Sequence, residues 1–591
     1  MVRVGFDLES DGLIPELTKL HCIGLKDLDN ENSKVLMYDT QEGIEEALRL
    51  LMNADQILGH NIIAFDIPAI KKVYPWFLPK GTVTDTLVLS RLLCADLKND
   101  DHVSVALPED FKKSMYGSHS LKAWGLRLGV HKGDYDGGWE TWSQEMSDYC
   151  VQDVEVTFCL YKFLQGAAEN FSQQSIDLEH ELAEICYRIG NNGWNFDVEA
   201  AESLYAKLSG MRIDLEKKLA SLFEPWEIHT EFIPKVNNKT RGYVKGEPFT
   251  KIKVINFNPN SRQHIAYCLA KKYKWKPTEF TPSGEPKIDE SVLSKLPYPE
   301  AQTLAEFFLI QKRIAQLAEG SQAWLKCVDK DKKLRHTIVS GGTVSGRACH
   351  RNPNLAQTVG NGAPFGAEMR ALFRPPQGWT LVGTDLDQLE LRCLAHYLPD
   401  DGEYARQIEQ GDIHQYNADA TGLSRPESKR FIYSLIYGGG NKLIGSIVGG
   451  GMAEGARLKK EFNKNVPAFR LLQLQLNDAF ERGYLIGLDG RKLYVRAQHK
   501  LLSQLLQSAG AILAKQWLAL ADQTLRQEKL DSYIVGWIHD ELQTCCPTEE
   551  EAKYVSLLFE RLSETAGAQC GVEKIRVTSQ SQLGRHWGST H

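Results

Sequence analysis

The chain has 591 residues, 42% hydrophobic and 25% charged, with a formal net charge of −7. That length exceeds one hydrophobic core and implies about two to four domains. No apolar run is long enough to span a membrane, and the opening MVRVGFDLES puts acids where a secretory signal needs apolar residues, so a cytoplasmic protein is expected. Twelve scattered cysteines, with no CxxC and only Cys545-Cys546 close together, argue against a zinc site or a disulfide framework. The acidic total does not suggest a nucleic-acid binder, but a chain of this size can hold a basic channel inside it.

Taken in chain order, residues 1–165 read as α/β, with short apolar strands near 2–8 and 21–25 and helical patterns such as 41–52. Long, charged, amphipathic helices follow over 175–225. Residues 226–256 break the pattern with Pro234, Gly242, Gly246 and Pro248. Six basic residues there (Lys235, Lys239, Arg241, Lys245, Lys251, Lys253) face few acids, which fits a solvated loop or a phosphate-contacting tip equally. Helices resume over 261–327. Strands are expected near 379–385, helices across 403–520, and a strand pair around 533–545. There are no repeats and no low-complexity segment.

Two sets of carboxylates carry the chemistry. In VGFDLES, Asp7 and Glu9 lie two apart on a strand and so share one face. Neighbouring carboxylates repel, burial raises their pKa values, and a divalent cation relieves both effects. HNIIAFDIPAI adds Asp66, and SDYCVQDVEVT adds Tyr149 and Asp153, one helical turn apart. Taken singly, each acid reads as a surface residue.

The second set begins in WTLVGTDLDQLELRCLAH, an apolar strand ending at Asp385 with Glu390 opening the next helical pattern. SYIVGWIHDELQT reads as a strand, a tight turn with His539, Asp540 and Glu541, and a return strand. Residues 533–538 are too apolar for an exposed edge, so these acids are expected on a buried platform. Between the two lies SRPESKRFIYSLIYGGG. It predicts a helix capped by Ser424, with Glu427 completing a capping box and Pro426 in the first turn. Arg425, Lys429, Tyr433 and Tyr437 recur every fourth residue on one face. The positive N-terminal end suits phosphate; taken alone, the stripe also reads as basic surface.

The stretches around Asp7, Asp66 and Asp153 resemble the three motifs of DEDD-type 3′–5′ exonucleases in the tyrosine variant. D-x4-E-L-R from Asp385, R-x3-K-x3-Y-x3-Y-G from Arg425 and H-D-E from His539 resemble motifs A, B and C of family A, DNA polymerase I-like DNA polymerases. TVSGRACHRNPNLAQ, GDIH at 411–414, LDGRKLYVR at 488–496 and the closing GRHWGSTH fit the same family. The resemblance covers nearly the whole chain and is strongest to the replicative polymerases of short-tailed phages.

That resemblance implies an α/β and α+β multidomain protein. An RNase H-like exonuclease domain would occupy 1–170, followed by a right hand: thumb and connecting helices at 171–335, palm at 336–402 and 498–591, fingers at 403–497. It implies that Asp7, Glu9, Asp66 and Asp153 hold two metals and that Tyr149, with Glu9, orients the attacking water. In the polymerase site it implies that Asp385, Asp540 and the backbone carbonyl of Leu386 hold two Mg2+, with Mn2+ as the alternative ion and Glu541 as a nearby, lesser candidate. Arg425, Lys429 and His414 would grip the triphosphate, Tyr433 would lie beside the sugar and base, and Glu390 would exclude a ribose 2′-OH. Tyr437 would stack near the template base, Gly438 would let the strand approach, and His539, Arg347 and Gln507 would touch primer–template. The helix would rotate to close over a correct nucleotide.

Three features depart from relatives. Asp387 is a second acid where serine is usual, Ser503 replaces an asparagine, and Tyr433 stands where many bacterial relatives have phenylalanine; in this family the tyrosine goes with acceptance of dideoxynucleotides. About thirty residues at 226–256 are too few for the long thumb insertion with which some phage relatives bind thioredoxin, so no thioredoxin-type processivity factor is expected. The expected partners are primer–template DNA, dNTPs and a replisome helicase–primase, for a monomer without membrane contact. The alternatives are a DNA-processing exonuclease with a polymerase-like DNA-binding half, a non-catalytic scaffold, and a single-subunit RNA polymerase, which Glu390 and the nuclease motifs disfavour.

Overall fold

Residues 3–10 bury Val4, Phe6 and Leu8 in an apolar core, so the first strand, β1 (Arg3–Ser10), runs through the middle of a sheet. A computed structural model of the protein describes residues 2–104 and 107–591. In it, β1 is flanked by β2 (Leu20–Asp27) and β4 (Gln56–Gly59), with β3 (Leu36–Tyr38) and β5 (Thr82–Asp85) at the edges, in the order β3-β2-β1-β4-β5. Only β2 runs against the others. These are the order and directions of an RNase H-like sheet. The helix Gln144–Ala168, capped by Ser143, packs across β1 and β2.

The C-terminal half is built on an antiparallel sheet ordered Tyr533–Ile538, Glu541–Cys546, Thr380–Leu386, Ser579–Gly584. Its two central strands are almost wholly buried, and polar Glu541, Gln543 and Thr544 are buried along with their apolar neighbours. Helices Leu501–Gln527 and Glu549–Gln569 pack together beside it, and the Trp517 indole N–H donates to the Phe559 carbonyl at 2.9 Å. Six helices between Glu403 and Arg482 pack on one another as a lobe. The lobe ends in a short hairpin, Tyr484–Ile486 with Lys492–Tyr494, where a continuous helical stretch was expected. The reason is local: Gly483 and Gly490 take φ of 88° and 80°, which end a helix and close a turn.

The chain divides into two compact units. The first comprises Met1–Asn195, Arg335–Thr358 and Phe373–His591; the second comprises Phe196–Leu334 and Val359–Leu372. In the second, helix Val198–Leu222 packs on Pro299–Ile314. The basic stretch at 226–256 is neither helix nor irregular loop. It forms an antiparallel hairpin, Trp226–Phe232 with Phe249–Ile255, because the alternation in FTKIKVI is strand-like.

A buried charge network ties three segments of the first unit. Glu179, on helix Gln173–Asn192, accepts from Arg491 at 2.8 Å and from Lys515, and Arg491 also clasps Asp489 at 2.6 Å. All four are at most 3% exposed. The two cations hold the Glu179 carboxyl down at about 2 against the opposing effect of burial. Removing the carboxylate would strand the buried Lys515 and leave Arg491 with Asp489 alone. Glu179→Ala is therefore expected to cost about 3–5 kcal/mol, read as the shift of the first unit's urea transition; a loss under about 1 kcal/mol would mean the network is not structural.

Candidate active sites

The nuclease-like set converges. β1 presents Asp7 and Glu9 on one face, Asp66 opens helix Asp66–Val73, and Tyr149 and Asp153 come from Gln144–Ala168. Oxygens of Asp7 and Glu9 and the Cys150 sulfur lie within 4.8 Å of one another. Burial, then the charge of Asp153, pushes Asp7 well above the carboxylate range and Glu9 up to about 9. Burial and Asp85 push Asp66 up to about 8. Asp153 rises only to about 6, because Lys132 opposes its burial. Four oxygen donors that cannot all ionise unaided, with Asp153 Oδ1 buried and unpartnered, fit hard divalent cations.

The second set converges too. Asp385 faces Glu541 across the central strands, and the Leu386 N–H donates to the Asp540 carbonyl at 3.1 Å. The turn between Ile538 and Glu541 puts His539 at φ 61°. Asp385 stands open to solvent at the strand end, yet burial of its surroundings, Asp540 and Glu541 raise it to about 7. Asp540 rises to about 6 through burial and Glu390. This pair likewise fits divalent cations. Asp387 is spoken for: its N–H donates to the Thr578 carbonyl and its carboxylate accepts the Thr578 hydroxyl, both at 2.8 Å. Of the two acids, Asp385 is the open one. Glu541 is also committed. It is 3% exposed, accepts the Trp587 indole N–H and the Gln543 amide at 2.6 Å, and meets His591 at 2.9 Å.

Helix Arg425–Ile436 has the expected capping box. Arg425 donates to Asp412 at 2.7 Å, and Asp412 in turn caps the helix that starts beside His414. Burial and the charges of Lys429 and Arg425 hold His414 below its ordinary value. Lys429 is exposed, and Tyr433 is close enough to feel Glu390 and Asp540. Tyr437 lies differently from the stacking position expected of it. Its hydroxyl donates to Glu390 at 2.6 Å, and Arg347 donates to the same oxygen at 3.2 Å. Fourfold spacing sets Tyr437 on the face of Tyr433, which points it at Glu390. Gly438 has φ 79°, and a Cβ there would meet the His499 carbonyl at 2.6 Å, so the close approach is by this chain's own backbone. The Gly439 N–H closes the helix on Ser434, and Gly440 is the N-cap of helix Asn441–Ser446. Gln507 is half-buried on helix Leu501–Gln527, one turn after Ser503.

Residues 236–589 match the sequence model described as DNA polymerase family A. The chain belongs to DNA polymerase family A. It is 33% identical to the DNA-directed DNA polymerases of Enterobacteria phage T3 and Escherichia phage T7, each match covering 99% of both chains. It is 24% identical to DNA polymerase I of Aquifex aeolicus, over 95% of this chain and 92% of that one. Its fold matches the POL domain of Pol1 from M. smegmatis, solved with DNA primer-template and dNTP, at a TM-score of 0.75 and 16% identity, covering 99% and 95% of the two chains. This family A polymerase is thus a DNA-directed DNA polymerase, and no helix among its described residues is long and apolar enough to cross a membrane.

Sequence reasoning missed two residues of the polymerase's acidic nuclease-like cluster. Lys132 forms an ion pair with Asp153, and its ammonium lies 4.4 Å from the centre of the Tyr149 ring. Cys150 touches the Asp7 carbonyl at 3.5 Å. Lys132 sits in VHKGDYDGG, a stretch without helical or strand period, so no spacing pointed to it. The raised acids also give a pH signature. Ionising Glu9 costs the folded state, a cost absent below 4.5 and growing as pH rises toward 9. Glu9→Gln is expected to melt roughly 3–8 °C above wild type at pH 8 in EDTA. The two should converge toward pH 4.5, and saturating Mg2+ should favour wild type; equal melting at pH 8 without metal would contradict the raised carboxyl.

Proposed function

We propose that the polymerase extends a primer at Asp385 and Asp540 and excises mispaired 3′ ends at Asp7, Glu9, Asp66 and Asp153, in the replication of a phage genome. The convergence of Asp385, Asp540 and Glu390 with the Arg425–Tyr437 helix face carries this reading. The domain roles follow it: nuclease at 1–170, thumb and connecting helices at 171–335, palm at 336–402 and 498–591, fingers at 403–497.

Phosphoryl transfer is mostly positioning and charge neutralisation. Divalent cations, Mg2+ by preference, held by Asp385, Asp540 and the Leu386 carbonyl, and a second pair held by the nuclease acids, would supply Lewis acidity at the attacking and leaving oxygens. Lys429, Arg425 and His414 bind the triphosphate, with Arg425 exchanging Asp412 for phosphate. Glu390, held by Arg347 and Tyr437, closes the floor of the sugar site against a 2′-OH. Tyr433 borders the sugar, where its hydroxyl compensates for a missing 3′-OH. His539, Arg347, Tyr437 and Gln507 meet primer–template through shape and backbone rather than sequence. Tyr149 and Glu9 orient the water that cleaves a frayed 3′ end, with Lys132 holding Asp153 in place. A helicase–primase is the fitting replisome partner.

Two measurements test this. With matched and mismatched primers, Asp540→Ala should lose extension by about a thousandfold or more while still degrading DNA, and Asp7→Ala should do the reverse. If Asp7→Ala degraded as wild type does, the nuclease reading would fall while synthesis stood. Tyr433→Phe should raise discrimination against dideoxynucleotides by roughly 100-fold, the worth of one charge-neighbouring hydrogen bond of about 2–3 kcal/mol; unchanged termination in a primer-extension ladder would remove Tyr433 from the sugar site.

A further inference from the structure

The cysteines are scattered in sequence, yet the fold brings two of them beside the nuclease-like acids. Glu9 on β1 stands directly opposite Cys22 on β2, and residues paired in this way share a face of the sheet. That face also carries Asp7, two residues from Glu9 on the same strand. Cys150 meets it from helix Gln144–Ala168, three residues before Asp153 and so on the same side of the helix. Its thiol donates to the Asp7 carbonyl at 3.5 Å and is hydrogen-bonded with the Cys22 thiol. Cys22 is in turn hydrogen-bonded with Ser147. Both cysteines are fully buried free thiols.

Ligand atoms of Asp7, Glu9 and Cys150 lie within 4.8 Å of one another. A tetrahedral cation with metal–sulfur contacts of about 2.3 Å and metal–oxygen contacts of about 2.0 Å needs such atoms roughly 3.5 Å apart. The remaining closure is small, and the rotatable side chain of Glu9 can supply it. A further oxygen belongs to the same cluster. Asp153 Oδ1 is buried without a partner, while the other oxygen of that carboxylate is held by Lys132. The charge of Asp153 acts on both Asp7 and Glu9.

Sulfur changes which cation this arrangement favours. Carboxylate oxygens alone suit hard ions such as Mg2+, whereas a thiolate is a soft donor that selects thiophilic ions. The groups assigned to the other centre, Asp385, Asp540 and the Leu386 carbonyl, offer only oxygen. The two acidic centres therefore differ in kind.

We propose that Cys150 makes the Asp7–Glu9 cluster a mixed sulfur–oxygen site for thiophilic divalent cations, Zn2+ or Cd2+, with Asp7, Glu9 and Cys150 as ligands and Cys22 as the group that orients Cys150. On binding, the Cys150 S–H bond breaks, its proton passes to solvent and the sulfur electron pair goes to the cation, so neither oxidant nor reductant is needed. Occupied in this way, the cluster has no place for the hard ion that the nuclease reading requires, and excision becomes more sensitive to thiophilic ions than extension. Only this last consequence rests on the nuclease reading; the ligand set is tested without any cleavage.

The full-length protein is titrated with Cd2+ in excess Mg2+, and the sulfur-to-cadmium charge-transfer band in the ultraviolet is followed for wild type, Cys150→Ser, Cys22→Ser and Glu9→Gln. Wild type should gain the band as a single Cd2+ binds. Cys150→Ser should lose it together with about 100-fold or more in Cd2+ affinity, while Cys22→Ser should keep the band at a cost of about tenfold, the worth of an orienting partner. Glu9→Gln should keep the sulfur but shift the midpoint of the titration to clearly higher Cd2+. The rise in melting temperature given by Mg2+ should be the same in Cys150→Ser as in wild type, because a hard ion does not use the thiol. A band that survives Cys150→Ser would place the sulfur ligand elsewhere, and a midpoint indifferent to Glu9→Gln would separate the thiol from the acids; either overturns the assignment. Should Cys150→Ser fail to fold, cadmium NMR of wild type decides: a shift in the range of mixed sulfur–oxygen ligation supports the site, and one in the oxygen-only range overturns it.

Discussion

Repulsion among carboxylates is the constraint on which the first unit turns. Asp7, Glu9, Asp66 and Asp153 crowd one end of a sheet, and Asp385 and Asp540 crowd the end of another, and every one of them is held above its ordinary pKa. Asp7, Glu9 and Asp385 are anchored on strands paired on both edges. β1 lies between β2 and β4, and Thr380–Leu386 lies between Glu541–Cys546 and Ser579–Gly584. Glu179 makes the contrast. It is as buried as any of them, yet two cations hold it near 2. Glu179 is compensated within the protein and is structural; of the others only Asp153 has a cation beside it, Lys132, and it still stands above its ordinary value.

The proposed nucleotide-binding face follows the same logic with the sign reversed. Arg425 and Lys429 are exposed cations at the start of a helix, where the dipole adds to their field. Arg425 has a surface partner in Asp412 that a polyanion can displace at little cost. Further along, the Tyr437 hydroxyl donates to Glu390, so the face changes from cations to phenols over about three turns. The triple glycine ends this helix, leaves no room for a Cβ at Gly438 beside the His499 carbonyl, and begins the next helix. It is a junction between two helices rather than an open passage.

Much of this was legible in the chain. Asp7 with Glu9 has the strand period, Asp153 with Tyr149 the helical one, and Ser424 with Glu427 a capping box, and each local rule held in the structure. What was not legible depends on contacts distant in sequence. Lys132 meets Asp153 across a loop with no period. Tyr437 meets Glu390, 47 residues away, so its spacing fixed its face but not its partner. Glu541 looked like part of the reactive turn, and only the folded C-terminus reveals that Trp587 and His591 occupy it. Asp387 resolves likewise through Thr578. The hairpin at 226–256 had a readable strand in FTKIKVI, but proline, glycine and lysine around it outweighed that signal.

The small hairpin closing the helical lobe, Tyr484–Ile486 with Lys492–Tyr494, joins the two carboxylate systems. Arg491, just before its second strand, turns into the core to Glu179 and Asp489. Arg496, just after it, reaches Asp96 in the N-terminal region, its Nε 2.6 Å from the carboxylate, and the Tyr494 hydroxyl approaches the Leu93 carbonyl at 3.5 Å. Ser172, at the cap of the helix bearing Glu179, donates to the Asp489 carbonyl. Three successive contacts therefore bind one short segment to both halves of the first unit. A segment that needs two glycines to turn and two arginines to hold it is costly in sequence terms, and a simple helix would have filled the same length. Arg491 and Arg496 flank the second strand on either side, and one reaches the helix bearing Glu179 while the other reaches Asp96 of the N-terminal region.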